Sequence, residues 1–497
     1  MSVVLNGNPL GFADVEYVLK TSRPEVALDE KALLHLDASK KRYMAVARTQ
    51  RVYGVNTGFG PMVTESFAEE DWSTLQVNLI RSHAMGLGAP IPVECVRGIL
   101  IARLASLMRG YSAIDRKPVV LLAKLLAGGY TPVIPEHGGV GASGDLVQLA
   151  HVAQCLIGEG EVCFENQRMP TAEAFRRLEI QPLVPDFREG LALINGTAAM
   201  VGVGFDALDR ARRLLEWALA LSSMQQEIVA SIAEPFSPEL QSVKLHAGQA
   251  AVAAKLREWL EGSNALREAL PAIDQANHPR PLQESYSLRC LPQIAGPIYD
   301  CIVAVQEVLL NELNSVSDNP IFDAASGKVF HGGNFHGEYV AVAMDHLKIA
   351  VTKLSLLCDR QLNALLNDRI NGILPAFLSG GRPGLDMGLQ GAQYTATSSA
   401  AANQTIAYPM SLHSIPSNKD NQDVVSMGLD AAMLARQSCL NACNVLAVLA
   451  LAVARAVELL DLRQKLAPRT QRLHQQLQKV QRLQAMREYL DSAAPAC

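Results

Sequence analysis

Residues 138–145 read Gly138-Gly139-Val140-Gly141-Ala142-Ser143-Gly144-Asp145, and a run of such small residues admits two kinds of chemistry. The first is nucleotide binding. Gly139, Gly141 and Gly144 satisfy GxGxxG, and Glu159 follows twenty residues after Gly139. The context opposes it. A dinucleotide fold needs a strand running straight into the glycines, but Pro132, Pro135, Glu136 and His137 stand there and no strand–helix–strand alternation follows. No nucleotide is expected. The second is chemistry of the main chain itself. The Gly144 nitrogen can attack the Ala142 carbonyl carbon. Loss of water, including the Ser143 hydroxyl, then leaves a conjugated 4-methylideneimidazol-5-one whose methylene carbon is electrophilic. Such a closure needs glycine nearby, because the backbone must be compressed into sparsely populated dihedrals. Ala-Ser-Gly taken alone reads more readily as an ordinary turn.

The elements that would hold this segment are helical. Alanine and leucine dominate, aromatics make up only 5% of the chain and β-branched alternation is scarce, so a mainly α fold is expected. Short strands are expected only near residues 3–5 and 162–164. Helical periodicity runs through 96–108, 198–232, 298–313, 340–366 and 423–460. Helices this long and apolar point to a central bundle buried on most sides. Loop-rich sequence gives way to long helices near residue 200. Two domains follow: 1–200, loop-rich and carrying Ala142-Ser143-Gly144, and 201–497, a long-helix bundle with substrate-binding loops. Segments 53–61, 130–144, 274–292, 317–335, 378–391 and 411–422 are rich in Gly, Pro, Asn or Ser, and function tends to sit on such loops. The polar 471–489 region reads as one exposed helix.

Composition narrows the partners. A formal net charge of -5 gives no basic excess to attract nucleic acid or an anionic membrane. Nine scattered cysteines without a CxxC pair suit reduced thiols in the cytoplasm. No histidines and carboxylates gather at ligand spacing, so no metal is expected. Residues 1–8 lack the basic start and apolar run of a secretory leader. The apolar stretch 445–454 is too short to span a bilayer and reads as a buried core helix.

The segments around the tripeptide carry a family likeness. Tyr53-Gly54-Val55-Asn56-Thr57-Gly58-Phe59-Gly60, Gly141-Ala142-Ser143-Gly144-Asp145-Leu146, Asn195-Gly196-Thr197, Gln283 with Tyr286-Ser287-Leu288-Arg289-Cys290, Ser317-Asp318-Asn319-Pro320, Gly332-Gly333-Asn334-Phe335-His336 and Asn421-Gln422-Asp423 occur in this order. With these motifs the chain resembles the aromatic amino acid ammonia-lyase family over nearly its whole length. The resemblance implies an ammonia-lyase/fumarase-like helical fold and a homotetramer whose active sites are shared by loops of three subunits. It also implies that Ala142-Ser143-Gly144 matures into the methylideneimidazolone.

Elimination of ammonia is difficult because the β-proton is weakly acidic and the amine leaves poorly. A covalent electrophile eases departure, a base must reach the β-proton, and the carboxylate needs a fixed cation. The resemblance gives Tyr53 as the base, although a phenol starts near ~10 and must be tuned by nearby charge or donors. It gives Arg289 as the carboxylate clamp. Asn195 and Tyr286 orient the amine and stabilise charge on the ring. Gly60, Phe335 and Gln283 lie near substrate and prosthetic group. His278 and His336 read as structural.

Two positions address the substrate ring. Ser82-His83 matches the pair typical of histidine enzymes. Asn418, Asn421 and Gln422 carry amides at the spacing of tyrosine enzymes, where histidine enzymes typically hold a glutamate at the place of Gln422. A pocket donor or acceptor left unpaired costs about 1–3 kcal/mol, so such positions discriminate strongly. His83 suits a phenol hydroxyl. The expectation is L-tyrosine converted to trans-p-coumarate and ammonia. Histidine stands as the alternative, followed by phenylalanine or an aromatic 2,3-aminomutase.

Overall fold

The computed structural model describes residues 2–267, 283–382 and 384–495. Helices account for 61% of it, and the strands among the described residues are two to four residues long. A chain poor in β-branched and aromatic residues has little with which to pack a pleated face. The sheets accordingly stop at two or three strands. The mainly α fold is as expected. Val3–Leu5 and Glu161–Phe164 are the two short strands anticipated. The hairpin Ile321–Asp323 with Lys328–Phe330 falls inside a segment whose sequence reads as loop.

The chain forms two compact units. The first comprises Met1–Ala207, Gln306–Asp345 and Pro409–Met433; the second comprises Leu208–Val305, His346–Tyr408 and Leu434–Cys497. The first unit thus takes in two segments that lie far beyond residue 200. Its core includes Tyr43, Trp72, Phe187 and Phe322, with the Tyr43 and Phe322 rings edge to face at 4.4 Å. The helix Val93–Met108 crosses the start of the helix Ala198–Ile228 at Gly98 and Gly202. A Cβ on Gly202 would stand 2.3 Å from the Ile99 nitrogen, so only glycine allows this approach. The crossing fixes where the second helix begins, immediately after Asn195-Gly196-Thr197.

In the second unit, residues 208–228, 291–305, 346–366 and 434–459 belong to the four longest helices. Alanine lines their contacts: Ala435, Ala442, Ala447, Ala450 and Ala452 are buried completely. Polar links fix the register where the surfaces are otherwise smooth. Ser222 donates to the Gln361 amide oxygen at 3.0 Å, and Asn403 donates to the Ser438 carbonyl at 3.0 Å. The apolar 445–454 stretch lies inside Gly428–Leu459 and is almost wholly buried. The 471–489 region corrects one expectation. It forms two helices, Pro468–Leu477 and Leu483–Ser492, which bury Leu473, His474 and Leu477, and Met486 and Leu490. A narrow apolar stripe among many charges escapes a reading by composition.

Candidate active site

The glycine-rich segment lies in a tight cradle within the first unit. Gly141 and Gly144 have φ of +73° and +67°. A Cβ on Gly144 would meet the Gly196 carbonyl oxygen at 2.1 Å, and one on Gly141 would meet Ser426 Oγ at 2.1 Å. Two distant segments hold the main chain here. Asp145 N donates to the Gly196 carbonyl at 2.8 Å, Ser426 Oγ donates to the Gly141 carbonyl at 3.0 Å, and Met427 N donates to the Val140 carbonyl at 3.0 Å. The close approach at 144 and the left-handed glycines fit the compression that ring closure at residues 142–144 demands.

Two helices start beside the segment, Leu146–Leu156 and Ala198–Ile228. Their N-termini bring partial positive charge to this place. The Asp145 carboxylate accepts the Met200 N–H at 2.8 Å. Burial pushes its pKa up to about 7, against the N–H donors of residues 199 and 200.

Ser143 Oγ donates to Asn195 Oδ1 at 2.9 Å. Asn195 Nδ2 donates to Asp318 Oδ1 and to the Asn319 carbonyl, both at 3.1 Å. Behind them Arg188 grips Asp318 with two bonds, of 2.9 and 3.0 Å, both side chains fully buried. Burial raises the Asp318 carboxyl, but the charges of Arg188 and Arg103 more than offset this and hold it below the ordinary range. Arg103, from the helix Val93–Met108, donates to the Asn195 carbonyl at 2.9 Å. Its pKa is pushed down to about 10 by burial.

A cavity of about 470 Å³ opens in front of this network, lined among others by Tyr53, Gly60, Ala142, Ser143, Asn319, Phe335, His336, Asn418, Asn421 and Gln422. Tyr53 Oη accepts the Gly60 N–H at 2.9 Å. Burial nevertheless leaves the phenol above its usual value, because that single donor is the weaker influence. Asn418, Lys419 and Asp420 all lie in the left-handed region, with φ of 54°, 53° and 58°. Ser417 and Gln422 close this turn by paired backbone bonds, and Ser417 Oγ donates to Gln422 Oε1 at 3.0 Å. Asn418 also explains Gly60, where a Cβ would come within 2.7 Å of Asn418 Nδ2.

The structure therefore brings together Tyr53, Gly60, Ala142, Ser143, Asn195, Phe335, Asn418, Asn421 and Gln422, all in the first unit, with Gly144 next in the chain. Ser82 and His83 belong to the same unit, at the C-terminal end of the helix Trp72–His83, but are not among the residues lining the cavity. His83 Nδ1 lies 2.9 Å from the Leu79 carbonyl and 3.0 Å from Ser82 Oγ. Gln283, Tyr286 and Arg289 belong to the second unit. There Gln283 and Arg289 line a smaller cavity of about 100 Å³ with Gln226, Glu234 and Phe236. Arg289 lies over the Tyr286 ring at 4.9 Å and has no carboxylate partner among the described residues. Its charge is thus not spent on a structural ion pair there. His278 lies outside the described residues.

Sequence reading missed the buried network. Arg188 carries no motif, and Arg103 reads as one charge in an apolar helix. That isolated charge was the available signal, since a guanidinium in an apolar helix must find acceptors. His336 lines the cavity, with Nε2 3.1 Å from the Val424 carbonyl.

Comparison with known proteins accords with this geometry. Residues 10–479 match the model of the aromatic amino acid lyase family. The chain is 41% identical to a tyrosine 2,3-aminomutase of Myxococcus sp. (strain Mx-B0), covering 93% of this chain and 90% of that one. It is 42% identical to a tyrosine ammonia-lyase of Cupriavidus metallidurans, covering 90% and 85%. It is 40% identical to a MIO-dependent tyrosine 2,3-aminomutase of Streptomyces globisporus, covering 90% and 85%. A solved tyrosine aminomutase from Streptomyces globisporus superposes with a TM-score of 0.94 at 36% identity, covering 99% of this chain and 97% of that one. The chain belongs to the aromatic amino acid lyase family, a group of carbon–nitrogen lyases and related aminomutases.

Proposed function

We propose that this chain is a tyrosine ammonia-lyase that eliminates ammonia from L-tyrosine to give trans-p-coumarate, using a methylideneimidazolone made from its own Ala142-Ser143-Gly144. The observation that carries this reading is the single cavity in which Tyr53, Ser143 and the amides of 418–422 meet. The ring would supply an electrophilic carbon that makes the substrate amine a better leaving group. Tyr53 takes the β-proton through its phenolate oxygen, which the Gly60 N–H steadies. Asn195 holds the amine beside residue 143. Arg289 binds the substrate carboxylate, and Tyr286 packs on that guanidinium. Gln283 and Phe335 support substrate and prosthetic group.

The uncharged amides of Asn418, Asn421 and Gln422 favour a phenol over an imidazole, which a carboxylate would hold better. Ser82 and His83 stand outside the lining of that cavity and are assigned to the substrate ring by the family resemblance alone. The active unit is a homotetramer in the cytoplasm, with each site shared between subunits. The Myxococcus relative favours a second reading, an aminomutase that returns ammonia to the β-carbon.

The test is an ultraviolet assay with tyrosine, histidine and phenylalanine in parallel, with chromatography of the products. Free coumarate from tyrosine supports the lyase. Accumulating β-tyrosine selects the mutase, and faster urocanate formation from histidine overturns the substrate.

A further inference from the structure

Ser317-Asp318-Asn319-Pro320 has no role in the reaction as described so far, yet it supplies the groups that surround the Asn195 side chain. An asparagine amide has an oxygen end that accepts and a nitrogen end that donates, and which end faces the substrate decides what it can do there. The neighbours settle the choice for Asn195. One end meets Asp318 Oδ1 and the Asn319 carbonyl, both at 3.1 Å, and neither a carboxylate nor a carbonyl can donate. The reversed amide would set its oxygen against two acceptors in a fully buried place, leaving that oxygen unpaired and repelled by both.

Asp318 cannot yield its acceptor role by taking a proton cheaply. Arg188 grips it twice, and the Asn319 N–H donates to Oδ1 at 2.7 Å. Arg103 fixes the main chain of the same residue through the Asn195 carbonyl, so rotation of the backbone offers no escape.

We propose that Asp318, clamped by Arg188, is a positioning residue: it orients Asn195 so that the amide oxygen, not the nitrogen, faces residue 143. This rests on the elimination chemistry assigned above. Asn195 then meets the substrate as an acceptor for an N–H of the amino group, and steers that group toward departure. A donor in the same place would oppose an ammonium.

Four proteins test this: wild type, Asp318→Asn, Asn195→Asp and the exchanged pair Asn195→Asp/Asp318→Asn. Intact mass reports whether each chain has lost the two waters of ring formation, and kcat and KM for L-tyrosine are taken per folded, water-depleted chain. Asp318→Asn can donate as well as accept, so it frees the Asn195 amide to turn. Its kcat should fall about 10–100-fold with KM within about threefold, the pattern of a misplaced reacting group. Asn195→Asp alone should fall at least as far, with two carboxylates face to face. The exchanged pair restores an acceptor facing residue 143 and a donor behind it, at unchanged net charge. It should recover about tenfold over either single variant.

A ring-bearing Asp318→Asn chain with wild-type kcat would overturn the proposal, as would a ring-bearing exchange no faster than the single variants. Where a single variant does not fold, the exchange decides, and an exchange that cannot fold also counts against interchangeable roles. A merely structural Asp318 would lower thermal stability and leave kcat per folded chain untouched. Wild type that neither loses two waters nor consumes an aromatic amino acid sinks the proposed function instead, so the two failures are distinct.

Discussion

The floor and the wall of the cavity are built on opposite plans. At the floor, Ser143, Asn195, Asp318, Arg188 and Arg103 hold one another from four separate chain segments, Arg188 and Asn195 flanking the short helix Glu189–Ile194, and all but Ser143 are fully buried or nearly so. The wall at 417–422 is exposed, and the bonds that close its turn are local, from residue 417 to residue 422. A floor stitched by distant segments cannot lose one member without leaving a buried charge or amide unpaired, and that penalty is steep. A wall closed on itself can change residues without disturbing its neighbours. Under the proposed function, the part that performs the reaction is thus hard to alter, and the part assigned to the substrate ring is easy.

The largest expected effect is at the floor. Ser143→Ala removes the hydroxyl whose loss would create the electrophile, and kcat should fall at least about 1,000-fold while the chain stays folded. Coumarate absorbance and intact mass check it, and a turnover close to wild type would mean the electrophile lies elsewhere.

Next comes Tyr53→Phe, with an expected loss of about 100- to 10,000-fold in kcat. Burial keeps the Tyr53 phenol above its ordinary pKa despite the Gly60 donor. A base works only when deprotonated, so wild-type kcat/KM should climb as pH rises toward that value. The Phe variant should lose the slope along with the rate. A retained slope would assign the base to another group.

The wall should give smaller, selective effects. Gln422→Glu keeps the oxygen that Ser417 bonds and replaces the NH2 with charge. The histidine-to-tyrosine ratio of kcat/KM should rise about tenfold, the worth of one matched polar contact. An unmoved ratio would mean that residue 422 does not touch the substrate ring. Smallest is Lys419→Gly, which relieves an exposed left-handed residue. It should raise stability by about 1 kcal/mol with unchanged kcat, read by denaturant titration. Loss of activity there would show that the wall is coupled to the floor after all.

The same contrast explains what the sequence made legible. The long helices at 198–228 and 428–459 announce themselves by apolar periodicity, because propensity and burial agree along them. The cavity residues Tyr53, Ser143, Phe335 and Gln422, and Asn195 behind Ser143, were legible through their motifs. Arg188 and the partner role of Asp318 were not, since a buried bidentate pair 130 residues apart leaves no local pattern. The Lys419 conformation was hidden for a different reason: lysine does not signal a left-handed backbone, which the Ser417–Gln422 closure imposes.

The bracket on the glycine run also bears on timing. Ser426 Oγ bonds the Gly141 carbonyl across 285 residues of chain. A nascent polypeptide therefore enters its fifth hundred of residues before that bracket against the glycine run exists. Under the proposed function, ring closure at 142–144 would belong to the end of biogenesis, and a chain stalled on the ribosome short of residue 426 would be stillborn as a catalyst even with its first two hundred residues in place.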